Sequence, residues 1–110
     1  MRCEDLPAIS RTDFDAACRT GNTEHRTTAI LRLALHHGDP EFIERACNDL
    51  LGDEDFSVRR AAVLSVGHMA RLYGRVGEDT LVRLNSLSSD PAMAGTVADA
   101  LDDIAIFVRP

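Results

Sequence analysis

The 110 residues include no Trp and no Lys, a single Tyr and four Phe. With aromatics at 5% of the chain, the stacked platforms that hold single-stranded nucleic acid or sugar rings are hard to build, and both ligand classes fall in rank. Cysteine is also scarce. Cys3, Cys18 and Cys47 are odd in number and far apart, with neither CxxC nor alternating Cys/His spacing, so neither a disulfide framework nor a zinc site is expected, and reduced thiols fit best. No apolar run approaches the roughly 18 residues of a membrane span. The opening MRCEDLPAIS places acids where a signal peptide would be apolar. A cytoplasmic protein with no membrane partner is expected. Positive charge is in deficit too: 12 Arg stand against 18 acids, a net charge of −6. The phosphate attraction that dominates nucleic-acid affinity therefore has the wrong sign.

What is present is the balance of a folded domain: 45% apolar residues, 27% charged, and only seven Gly and four Pro. The length suits one domain spanning 1–110. The acidity is uneven, since residues 1–55 hold six Arg against twelve acids and 56–110 hold six against six. Capping residue, apolar-periodic segment and Gly recur in that order, which starts and stops helices. Six segments follow: about Thr12 to Arg19, ending at Gly21; Thr23 to Gly38, with His36 and His37 in the last turn; Pro40 to Leu51 behind Asp39; Val58 to Tyr73 after Asp55; about Glu78 to Leu87; and Pro91 to about Phe107 behind Asp90. No polar/apolar alternation persists long enough for a strand. Linkers of two to six residues predict consecutive helices lying antiparallel as neighbours.

The second, fourth and sixth segments resemble one another. Asp55-Phe56-Ser57-Val58 overlays Asn22-Thr23-Glu24-His25 with a shift of 33, and Asp90-Pro91-Ala92-Met93 with a shift of 35. Such periods, with two helices each, mark stacked helical repeats. In the second overlay Val58, Ala62, Val66 and Met69 fall on Met93, Val97, Leu101 and Ile104, a core stripe at helical spacing. The run from Asp55 to Ala70 (DFSVRRAAVLSVGHMA) resembles the second helix of a HEAT repeat, whose pattern is Asp, then Val-Arg, then small and apolar residues. The resemblance implies an all-α fold, a short right-handed α-solenoid of about three HEAT-like hairpins. It also implies that Arg59 pairs with an Asp at a repeat start, and that the last repeat, with Ala94 in place of that Arg, is a terminal cap.

Catalytic chemistry finds no candidate. His36, His37 and Asp39 are ligand types, but adjacent helical residues point about 100° apart and cannot easily reach one ion. The HEAT family includes an iron hydroxylase built on His-Glu pairs, and this chain has no His-Glu dipeptide. Cys18 and Cys47 read as buried, inert thiols. No nucleophile elbow or phosphate-cradling Gly-rich loop is present. No cofactor, metal or small-molecule substrate is expected, and the chain reads as a non-enzyme.

A charged exterior remains. Asp99, Asp102 and Asp103, spaced i, i+3, i+4, place three carboxylates opposite Val97, Leu101 and Ile104. Arg60, Arg71 and Arg75 on the neighbouring helix can neutralise them, or they can face a cationic partner. His68 reads as a surface or partner-contact residue on the outer side of its helix. Acids at Asp53, Glu54 and Asp55, and at Glu78 and Asp79, fall at helix starts, where capping is ordinary.

The segment Val58 to Arg71, the Asp90-Pro91 start and the closing Ala100-Leu101-Asp102-Asp103-Ile104 together resemble small bacterial HEAT-like proteins, several of which are immunity proteins of contact-dependent or polymorphic toxin systems. The resemblance covers about residues 55 to 107. It implies a protein that binds and neutralises a cognate toxin, often a nuclease with a basic active site. The charge deficit agrees independently, because an acidic domain is steered to a cationic cleft. On that reading Asp99, Asp102 and Asp103 mimic phosphates, Arg60, His68 and Arg71 fix register, and Glu78 and Asp79 add a second acidic contact. The alternative is a HEAT-like adaptor subunit, which an apolar patch through Ile106 and Val108 would favour.

Overall fold

The computed structural model describes residues 7–36 and 38–108, and among them the chain forms six α-helices and no strand. These are α1 (Arg11–Arg19), α2 (Thr23–Leu35), α3 (Pro40–Leu51), α4 (Phe56–Tyr73), α5 (Glu78–Leu87) and α6 (Pro91–Phe107). Asn22, Asp55 and Asp90 cap α2, α4 and α6, each accepting from the backbone amide of the second or third helical residue. The overlays with shifts of 33 and 35 therefore match cap to cap. One boundary differs from expectation: α2 stops at Leu35, and His36 is extended at φ −114°, ψ 144°. The tyrosine of α4 accounts for this, because the Tyr73 hydroxyl accepts from the Gly38 amide at 3.0 Å and draws the α2–α3 connection over the end of α4. His37 lies outside the described residues.

The helices form two layers, α1, α3 and α5 against α2, α4 and α6, with α4 packed between α2 and α6 and backed by α3. Consecutive helices are not always neighbours. α5 lies on α3 and α6 instead of running along α4. The reversal begins at Gly74, whose φ of +66° is a left-handed conformation that a side chain would strain. The result is a short stack of three hairpins, 33 × 28 × 26 Å.

The core follows the stripes read from the sequence. Val58, Ala62, Val66 and Met69 of α4 are buried against Met93, Val97 and Ile104 of α6. Leu101 is only partly buried, and Ala100 takes the seam position beside it. Each large side chain removed from water contributes about 1.5–3 kcal/mol before entropy is charged against it. In the outer layer α1 docks through Phe14, edge-on to Phe42 at 6.0 Å, while the Arg11 guanidinium sits 4.4 Å over the Phe42 ring and also reaches Asp39. Cys47 is fully buried, and burial, with Glu44 adding to it, pushes its thiol up to about 12. Cys18 is half-buried, and Cys3 lies outside the described residues. No described helix is long and apolar enough to cross a membrane.

Candidate functional site

The acidic turn before α4 is structural. Asp55 accepts from the amides of Ser57 and Val58 at 2.8 and 3.3 Å and from the Thr23 hydroxyl at 2.9 Å, which joins the starts of α2 and α4. Asp53 accepts from the Asp55 amide at 2.8 Å and from Arg26 at 3.3 Å. Both carboxylates are thus occupied, and Arg59 does not pair with either as the HEAT resemblance implied. Its Nη1 donates to the carbonyls of Asp53 and Glu54 at 2.9 and 3.0 Å. The tie between repeats is made by Thr23 and Arg26.

The three aspartates of α6 do not act as one patch. Asp99 and Asp102 are exposed, with no partner among the described residues. Asp103 sits three residues beyond the seam residue Ala100, so helical periodicity turns it toward α4. There its Oδ2 lies over Gly67, and a Cβ on that glycine would stand 2.9 Å from it. Asp103 is also the only one of the three that meets an arginine among the described residues: Arg71 Nε is 3.7 Å from Oδ2. Arg60 and Arg75 are exposed and pair with no described carboxylate. Neutralisation by three arginines, one of the two readings of the sequence, reduces to one ion pair.

His68 is half-buried, where an outer position was expected. It lines a hollow of about 200 Å³ between α2 and α4, walled by Leu31, Leu35 and Leu64 and edged by Arg71. Desolvation holds its pKa below the ordinary imidazole value; the Arg71 charge acts in the same direction and Asp103 opposes both. Arg60, Leu64, His68 and Arg71 follow at spacings of four, four and three, so they form one stripe along α4. An apolar centre with charged ends is the anatomy of a protein interface.

Glu78 and Asp79 belong elsewhere. They are exposed in the first turn of α5 and line an open cleft of about 510 Å³ with Glu41, Glu44, Arg45 and Asn48 of α3, to which neither α4 nor α6 contributes. Sequence reasoning missed Glu44. Gly77, at the cap of α5, has no side chain to offer, and Glu44 Oε2 accepts both the Gly77 amide and the Thr80 hydroxyl at 2.6 Å. The signal was available in principle, since a helix that opens on Gly lacks its own capping oxygen.

As for metal chemistry, the Asp39 carboxylate is committed to the Glu41 amide and Arg11. Among the described residues no group of three His, Cys, Asp or Glu side chains is gathered to hold an ion.

No family model matches the chain, and no curated protein matches it. A solved structure does. A chain of a CDI complex from Cupriavidus taiwanensis is similar over 97% of both chains, at 32% identity and a TM-score of 0.83.

Proposed function

This chain belongs to the same family as that component of a CDI complex, and we propose that it is the immunity member of such a pair, in the sense of contact-dependent growth inhibition. It binds a cognate toxin in the cytoplasm of the cell that makes it and neutralises it without catalysis. The observation that carries this reading is likeness over the full length to a chain taken from a complex. The charge supports the assignment to the inhibitor side: a net −6 favours rapid capture of a cationic partner such as a nuclease domain, whose basic site it covers.

The face formed by α4 and α6 suits this role. On it Asp99 and Asp102 offer unpaired carboxylates to a cationic surface, and Arg60, His68 and Arg71 of α4 would fix the register; Glu78 and Asp79, in the separate α3–α5 cleft, would make a second acidic contact. The test is co-expression with the toxin domain of the same CDI system. A stable one-to-one complex and protection of toxin-expressing cells are expected. Asp99→Arg with Asp102→Arg should weaken binding by more than about 2 kcal/mol at unchanged helicity; wild-type affinity in that variant would overturn the site.

The adaptor reading draws on Ile106, which is 65% exposed, and Phe107, 42% exposed. Val108 turns back onto the core, so the patch is two side chains wide. Light scattering separates the readings: an adaptor end of this kind self-associates through Ile106, and an immunity protein stays dispersed until its toxin arrives.

A further inference from the structure

The hollow between α2 and α4 combines two chemistries that the α6 carboxylates do not share. Its walls are the alkyl groups of Leu31, Leu35 and Leu64, and Leu64 is 40% exposed beside it. The buried Ser65 hydroxyl donates to the Ala61 carbonyl at 2.8 Å, so Ser65 brings no spare proton to the hollow. At about 200 Å³ the hollow is smaller than the roughly 300–1,000 Å³ of small-molecule pockets, and its size suits one side chain. Arg71 stands at its edge with half of its side chain exposed. Asp103 engages only Nε, at 3.7 Å, and the two Nη nitrogens donate to no described residue. A guanidinium held from one side keeps a two-pronged donor for a carboxylate on the other.

The charges on α4 choose the occupant. From Phe56 to Tyr73 the helix carries Arg59, Arg60 and Arg71 and no acid, so a segment lying along the stripe is matched by negative charge. We infer that this hollow receives one large apolar side chain of the toxin, with an acidic residue of the same toxin segment meeting Arg71. The inference rests on the immunity reading and adds to it a second, oppositely charged contact. The toxin meets Asp99 and Asp102 with cations and Arg71 with an anion, and a two-signed face fixes one docking register and rejects a uniformly basic competitor.

The experiment measures affinity for the toxin domain of the same CDI system, by calorimetry, for wild type, Leu64→Arg, Arg71→Gln and Asp99→Arg/Asp102→Arg, with circular dichroism and thermal melts as controls. Leu64→Arg is expected to weaken binding about 100-fold or more and Arg71→Gln about tenfold, both with little change in the melt because both side chains are partly exposed. Wild-type affinity in both variants overturns the socket, while the immunity reading stands on the wild-type complex. Loss in Leu64→Arg alone overturns the acidic contact at Arg71. Self-association that Leu64→Arg abolishes gives the hollow to a second copy of this chain and overturns the inference. Failure of the wild type to bind the toxin overturns the immunity reading as well.

Discussion

The carboxylate of Asp103 lies against the backbone of Gly67, with the Ala100 Cα 3.5 Å from where a Cβ on that glycine would be. The absence of a side chain at 67 lets α6 approach α4 and places Asp103 within reach of Arg71.

Two substitutions at Gly67 are expected to separate. Alanine meets mainly the mobile end of Asp103, at 2.9 Å, and regains about 1 kcal/mol of helix propensity. Stability should therefore change by less than about 1 kcal/mol while Asp103 swings away. Valine adds branches against the Ala100 backbone and should cost about 1–3 kcal/mol. Urea unfolding of both variants measures this, and equal stability would refute the close approach.

Glu44→Ala removes both hydrogen bonds at the start of α5 and leaves the fully buried Thr80 hydroxyl without its acceptor. A loss of about 1–3 kcal/mol is expected. Thr80→Val in the same background should recover part of it, because the orphaned hydroxyl is removed together with its acceptor. A double-mutant cycle reads the coupling.

His68 provides a pH signature. Its folded pKa lies below the ordinary value of about 6.5, so the unfolded chain takes up the proton first. Stability from this group is whole above that ordinary value and declines as pH falls from it toward the folded pKa. An NMR titration should find the His68 midpoint below the ordinary imidazole value. Asp103→Asn should lower it further and Arg71→Gln should raise it; shifts of the opposite signs would contradict the arrangement around the ring.

Asp55 acts at lower pH and, like His68, stabilises the fold in its deprotonated form, which here is the charged one. The Thr23 hydroxyl, working against some desolvation, and the amides of Val58 and Ser57 hold its carboxyl below the usual range. Its contribution is present above the ordinary carboxylate pKa of about 3.9 and disappears as pH falls through the folded value. Asp55→Asn is expected to melt earlier than wild type at neutral pH and to lose less on acidification. Parallel pH curves for the two would remove Asp55 from the acid response.

Cys47 should resist alkylation at pH 8 until the protein unfolds, since its thiol is raised to about 12 and has no exposed surface. Mass spectrometry after brief iodoacetamide treatment, with and without urea, checks this.

Much of the fold was legible because its signals are local. Asn22, Asp55 and Asp90 announce their helices by capping amides two or three residues away, and Val58, Ala62, Val66 and Met69 state their face by spacing alone. What was missed is held by distant partners. The oxygen that starts α5 comes from Glu44, 33 residues before Gly77. The end of α2 is set by Tyr73, 35 residues after Gly38. The spacing of Asp99, Asp102 and Asp103 is legible in the sequence, but spacing alone does not reveal that Gly67 leaves room for Asp103 against α4. The hollow beside His68 needed two helices side by side before it existed.

The borrowed oxygen at the start of α5 also gives the chain a direction. Because Glu44 lies in α3, the opening turn of α5 has its first amide answered only after α3 is in place. During synthesis α3 leaves the ribosome well before Gly77 does, so assembly from the amino end meets no waiting step there. A circular permutant that emits α5 and α6 first would expose that frayed turn, and the apolar seam of α6 with it, until the rest of the molecule arrived.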